Sequence, residues 1–178
     1  MITNIDFAIL DFIAEHIRCG ILDTLVPLVT HLGDGGCFWI ALAVVLLIPK
    51  KTRKYGAAVA MALIFDLILC NVTIKPLVQR VRPYDIRQGI ELLISAPHDY
   101  SFPSGHTAAS FAAAGALLFM KARGRIPALI LAGVIGLSRL YLYVHYPSDV
   151  VCGAVLGLVC GFLGAYIAKK TGIFEKKQ

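Results

Sequence analysis

Three separated blocks of the chain hold side chains able to do chemistry: Lys75 to Pro83 (KPLVQRVRP), Phe102 to Thr107 (FPSGHT), and Ser138-Arg139 followed by His145-Tyr146-Pro147-Ser148-Asp149. In the first, Pro76 disfavours helix at Lys75, so the lysine belongs at or near a helix end, with Arg82 on the loop beyond. In the second, Ser104 and Gly105 precede an apolar run. The outward backbone N–H groups of that helix start form an anion site, and His106 falls in its first turn. In the third, Pro147 suits the first position of a helix, which puts Asp149 in the first turn, able to reach back to His145. A carboxylate there fixes the imidazole tautomer. Lys75, Arg82 and Arg139, a helix N-terminus, two histidines and one acid make up what in-line phosphoryl transfer without a metal needs. They supply a clamp for equatorial oxygens, a nucleophile and a proton donor for the leaving group. A phosphate ester or anhydride is the implied substrate.

These blocks must be positioned by apolar helices. The chain has 178 residues, 58% hydrophobic and 16% charged, with a mean hydropathy of +0.76, far from the composition of a soluble domain. One all-α membrane domain, 1-178, is expected, with room for about five or six crossings at roughly 20 residues each. Four apolar segments read as spans: Tyr55 to Ile74, Gly105 to Met120, Ile126 to Val144 and Ser148 to Ala168. A fifth runs from Pro27 to Pro49, with Asp34 and Gly35-Gly36 near its start and its hydrocarbon portion within Cys37 to Ile48. Residues 1-25 are expected to form an amphipathic or first membrane helix, since Asp11, Glu15 and Arg18 recur opposite Ile9, Phe12, Ile13 and Ile17. Residues 55-168 are expected to form the catalytic helical core.

Orientation follows from the basic loops. Lys50, Lys51, Arg53 and Lys54, then Lys121, Arg123 and Arg125, then Lys169, Lys170, Lys176 and Lys177 all fall on one side if the helices alternate. The positive-inside bias makes that side, and the C-terminus, cytoplasmic, so the three blocks face outward across a cell membrane. The net charge of +6 is thereby explained by topology, and no nucleic-acid motif accompanies it. Met1-Ile2-Thr3-Asn4 has no basic n-region or cleavage site, so a removable signal peptide is not expected. Cys19, Cys37, Cys70, Cys152 and Cys160 lack metal-ligand spacing and read as small buried hydrophobes.

With these residues in hand, the chain resembles the type 2 phosphatidic acid phosphatase superfamily. That family's signature is Lys, six residues, Arg-Pro; then Pro-Ser-Gly-His; then Ser-Arg, five residues, His, three residues, Asp. Lys75 to Arg82-Pro83, Pro103-Ser104-Gly105-His106, and Ser138-Arg139 to His145 to Asp149 fill every position. The resemblance implies a helical bundle, usually of six spans, with an acid phosphatase/vanadium haloperoxidase-like core. It implies that His145 is transiently phosphorylated, that Asp149 orients it, and that His106 protonates the leaving group and then activates water. Lys75, Arg82, Ser104, Gly105 and Arg139 would hold the phosphoryl oxygens. No metal, cofactor or obligate protein partner is implied. The partners are the bilayer and a lipid phosphate or diphosphate. Undecaprenyl diphosphate leads because small bacterial members of the family with outward sites often recycle it; phosphatidylglycerophosphate, phosphatidic acid and transfer to an acceptor lipid are the rivals. Vanadate haloperoxidase chemistry is disfavoured in so short a chain.

Other polar residues have plainer readings. Lys75 and Arg82 at span ends could snorkel, whereas Arg139 within an apolar helix needs a partner. Arg80 and Arg87 are expected to be surface cations that at most attract an anionic head group. Asp66, mid-span and about 13 Å along the helix from Lys75, is expected to make a structural hydrogen bond to a neighbouring helix. Gly153, Gly157, Gly161 and Gly164 are expected to allow close helix packing, and Tyr141, Tyr143 and Tyr146 to lie at the interface and wall the site.

Overall fold

The computed structural model of the chain describes residues 2–87 and 89–171. Lys176 and Lys177, the last two members of the third basic cluster, lie outside the described residues. The described chain is helical, as follows: α1 Ile2–His16, α2 Gly20–His31, α3 Cys37–Leu47, α4 Arg53–Asp66, α5 Lys75–Val78, α6 Pro83–Ile86, α7 Gly105–Phe119, α8 Arg125–Tyr141 and α9 Pro147–Thr171. A short 3₁₀ turn, Asp34–Gly36, joins α2 to α3, and a π-helical stretch, Leu67–Ile74, carries α4 into α5. Pro76 accounts for the wide turn: its ring would clash with the carbonyl four residues back, and the extra residue per π turn relieves that clash.

The expectation of five or six crossings is corrected. Among the described residues, only Arg53–Ile86, 34 residues, and Pro147–Thr171, 25 residues, are long and apolar enough to cross a membrane. A third is reached if Gly20–His31 and Asp34–Leu47, bent by 42° at their break, count as one span. The reason is length. At 1.5 Å per residue the 15 residues of α7 and the 17 of α8 extend roughly 22 to 26 Å, short of the ~30 Å hydrocarbon core. The sequence reading had extended these segments through Met120, Val144 and Pro49, where the chain in fact turns. The Pro27 to Pro49 span is likewise interrupted: α2 ends at His31, and Gly35 and Gly36 take left-handed φ values of 56° and 67° to turn the chain into α3.

Alanine-rich α7 is the central helix, packed against α9, α8 and α4. Ala108, Ala112, Ala113, Ala114 and Ala116 are all fully buried. Small side chains on both partners let backbones touch, as the glycine spacing predicted. A Cβ on Gly157 would lie 2.3 Å from the Ala108 carbonyl oxygen, and one on Gly164 2.5 Å from that of Ala58. The outer faces carry exposed Ile, Leu, Val and Phe, among them Ile5, Phe12, Val45, Val72, Ile130 and Val151, the surface that a lipid environment requires. Within α1, Asp6 and Leu10 are buried against the bundle, while Ile5, Ile9 and Phe12 face out.

Candidate active site

The three blocks converge at one end of the bundle. Lys75 follows the π stretch as the first residue of α5, Arg82 follows the left-handed Gln79 (φ 49°) on the chain leading into α6, Ser104 caps α7, and His145 lies between α8 and α9. Arg139, in the last turn of α8, is 2% exposed and His145 1% exposed. Nδ1 of His145 and Nε of Arg139 have no hydrogen-bond partner among the described residues.

Around His145 the groups are close. Arg82 Nη1 lies 3.3 Å from His145 Nε2 and donates to the Val144 carbonyl at 2.7 Å. Asp149 Oδ2 stands 3.5 Å from His145 Nδ1, beyond ideal hydrogen-bond length. Burial, then the positive charges of Arg82, Arg139 and Lys75, hold the His145 imidazolium well below its usual range.

Asp149 itself is fixed from several sides. It accepts from Ser101 Oγ at 2.5 Å, from the Tyr146 backbone N–H at 3.0 Å and from Arg80 at 2.5 Å. Arg80 also reaches Asp6 Oδ2 at 2.8 Å and sits over the Tyr146 ring at 3.7 Å. The surface reading of Arg80 is therefore corrected: it is a half-buried clamp on the site's carboxylate. Arg87, by contrast, is an exposed cation paired with Asp11 at 2.8 Å.

Lys75 and Arg82 share one carboxylate, Asp99, through a Lys75 Nζ ion pair and an Arg82 Nη2 contact at 2.5 Å. Burial raises the Asp99 carboxyl, but the Lys75 hydrogen bond and charge and those of Arg82 outweigh it and bring it to about 2. Gly105 lets Lys75 come close to the start of α7: a Cβ there would lie 3.6 Å from Nζ. Ser104 makes no side-chain cap; its backbone N–H donates to the Asp149 carbonyl oxygen and its Oγ accepts from Thr107.

His106 occupies the first turn of α7 against Gly33, and its Nε2 lies 2.8 Å from Asp34 Oδ1. The same carboxyl pairs with exposed His31 at 2.7 Å, so Asp34 links two imidazoles. Arg139 donates to Thr30 Oγ1 at 2.5 Å, the partner its position demanded. A cavity of about 370 Å³ opens beside Lys75, Asp99, Gly105 and His106 and reaches down to Asn71 and Asp66. Asp66 is buried there with Oδ1 unpartnered among the described residues, not in the expected bond to a neighbouring helix. Tyr143 and Tyr146 are buried beside the site. Of the cysteines, only Cys70 and Cys160 are buried; Cys19, Cys37 and Cys152 are exposed. No group of three His, Cys, Asp or Glu among the described residues is placed to hold a metal ion.

Asp34, Asp99, Ser101, Thr30 and Asp6 escaped the sequence reading. Each is a common polar residue outside the spaced blocks, and only the fold reveals which one meets which cation. A signal existed for Asp34 alone, as an acid set in an apolar stretch beside two glycines.

Cations, a helix start and a buried imidazole backed by a carboxylate make an arrangement suited to an anion at one end of a membrane bundle. The chain belongs to the PAP2 superfamily, which matches residues 52–173, and is a multi-pass membrane phosphatase of that superfamily. It is 34% identical over 139 residues to an undecaprenyl-diphosphatase of Sulfolobus acidocaldarius, covering 78% of this chain and 66% of that protein. It is 37% identical over 146 residues to a decaprenylphosphoryl-5-phosphoribose phosphatase of Mycobacterium tuberculosis, covering 81% of this chain and 78% of that one. Among solved structures, Aquifex aeolicus LpxE superposes with a TM-score of 0.77 at 27% identity, covering 91% of this chain and 95% of that chain. A PAP2-type phosphatidylglycerolphosphate phosphatase from Bacillus subtilis gives 0.76 at 27% identity, covering 98% and 88%.

Proposed function

We propose that the protein hydrolyses a membrane lipid phosphate or diphosphate without a metal ion, through a phosphohistidine on His145, within one domain spanning 1-178 whose catalytic core is 55-168. The observation that carries this reading is the buried His145 ring, with Nε2 3.3 Å from Arg82 Nη1 and Nδ1 3.5 Å from Asp149 Oδ2. In the proposed reaction, His145 Nε2 attacks phosphorus and the bond to the leaving oxygen breaks. Burial and the charge of Arg139 hold the His106 imidazolium down to about 4; the negative charge of the bound phosphate raises it again, so that His106, protonated beside Asp34, supplies the proton to that oxygen. His106 then takes a proton from water, which attacks the phosphohistidine and releases inorganic phosphate. Lys75, Arg82, Arg139, the Ser104 hydroxyl and the Gly105 backbone N–H hold the equatorial oxygens as charge shifts in the transition state. Asp149 orients His145 and stabilises its positive form. The phosphate displaces Asp99 from Lys75 and Arg82.

Undecaprenyl diphosphate is the proposed substrate, supported by the likeness to the archaeal diphosphatase. A groove of about 460 Å³ between α1, α2 and α8, lined by Ile13, Leu25, Val29 and Leu137 and reaching Ser138, offers an apolar bed for a lipid tail. The fold likeness to a phosphatidylglycerolphosphate phosphatase favours that lipid as the second reading. The site is proposed to face outward from the cell membrane with the C-terminus cytoplasmic, on the strength of the basic loops. Phosphate release from a panel of lipid phosphates and diphosphates in detergent, compared by kcat/KM, tests the assignment. Undecaprenyl diphosphate is expected to lead, and a clear preference for phosphatidylglycerophosphate would replace it. Addition of an acceptor lipid distinguishes hydrolysis, with free phosphate unchanged, from transfer.

A further inference from the structure

At the end of the bundle away from His145, α3 and the start of α8 stand apart and leave a cavity of about 730 Å³. Leu42, Leu46, Leu117 and Leu131 form its walls, and Lys51 and Arg123 stand at its rim. Along α3 it extends from Phe38 to Leu46, about 12 Å, a depth suited to the first half of an acyl chain.

The ordinary use of a basic residue at such a helix end is to satisfy free carbonyls, and neighbours here do that. Arg53 donates to the Leu47 and Ile48 carbonyls at 2.8 and 3.1 Å, and Lys169 to that of Phe119 at 2.8 Å. Lys51 and Arg123 are different. Both are exposed, and neither makes a hydrogen bond or ion pair with any described residue. No acid is available to them nearby in sequence either: residues 37–65, 107–148 and 150–171 contain no Asp or Glu. Cations with no counter-charge among the described residues, at the mouth of an apolar cleft, complement a molecule with an anionic head and a hydrocarbon tail.

We propose that this cleft is a binding site for an anionic phospholipid of the surrounding leaflet, with an acyl chain between α3 and α8 and its phosphate on Lys51 and Arg123. It is separate from the phosphatase site and does not depend on the reaction assigned there. The protein carries its own reporter, since Trp39 is the single tryptophan and lies in the cleft wall.

The test uses the full chain in phosphatidylcholine nanodiscs, titrated with phosphatidylglycerol brominated on its acyl chains, and in parallel with brominated phosphatidylcholine. Bromine quenches Trp39 emission when the chain enters. Half-maximal quenching is expected at a mole fraction about tenfold lower for phosphatidylglycerol, given the attraction of two cations. Lys51→Gln with Arg123→Gln is expected to abolish that preference while leaving phosphate release in detergent unchanged, which certifies the fold. His145→Ala is expected to keep it, which separates this site from the catalytic one. Equal quenching by both lipids, or an undiminished preference in the double variant, overturns the proposal. So does protection of Trp39 from both lipids with concentration-dependent cross-linking, which would mean that a second copy of the chain fills the cleft.

Discussion

The carboxylate of Asp149 is held by Ser101, Arg80 and the Tyr146 N–H while standing 3.5 Å from His145, so residues remote from the phosphate can control the proposed nucleophile. Arg80→Ala is expected to lower kcat by about a hundredfold, within the range of an impaired acid–base partner, with little change in KM. A KM effect alone would return Arg80 to a head-group role. Asp99→Asn frees Lys75 and Arg82, so inhibition by inorganic phosphate is expected to strengthen by about tenfold, equivalent to about 1.4 kcal/mol; weaker inhibition would mean that Asp99 builds the anion site. Burial and surrounding cations lower the His145 pKa, so its ring stays neutral as pH falls through 6.5, where an ordinary imidazole gains a proton. Histidine-labelled NMR titration, with His145→Ala to assign the resonance, checks this; protonation at or above 6.5 contradicts it. The cations and histidines were legible because their spacing is unusual in an apolar chain. Their carboxylate partners were not, since Asp34 and Asp99 meet His106 and Lys75 only through tertiary packing.

At the scale of elements, the site depends on how closely α9 lies on α7, because α9 carries Asp149 and α7 carries Gly105 and His106, with Ser104 at its cap. Gly157→Ala places a methyl carbon 2.3 Å from the Ala108 carbonyl oxygen, a backbone atom that cannot step aside. A loss of about 1–3 kcal/mol is expected, the usual cost of overpacking, seen as a lower midpoint of thermal unfolding in detergent. Gly133→Ala, with open space at its Cβ position, is the control that should not move it. The glycine steps of α9 were readable as a packing face because only small residues at helical spacing allow such an approach. Helix ends were less readable: apolar residues continue past the turns at Leu32–Gly36 and beyond Tyr141, so hydropathy alone lengthened the spans. Turn geometry at Gly35 and Gly36 and the π stretch before Pro76 are backbone solutions that composition does not signal.

For the whole molecule, charge is segregated: cations and acids mix around His145, whereas the opposite end has Lys50, Lys51, Lys54, Lys121 and Arg123 and no acid within residues 37–65 or 107–148. That asymmetry predicts that accessibility labelling of a cysteine placed at Gly124 reports the cytoplasmic side; labelling from outside would reverse the proposed orientation. The helical class and membrane character were evident from composition. The number of crossings was not, because it turns on lengths of a few residues. The central claim concerns the covalent step. Rapid acid-free quenching of turnover on a lipid diphosphate, followed by peptide mass spectrometry, is expected to find an acid-labile, alkali-stable phosphate on His145 that is absent from His145→Ala. Turnover with no phosphate trapped on His145, or with phosphate on His106 instead, would contradict the account.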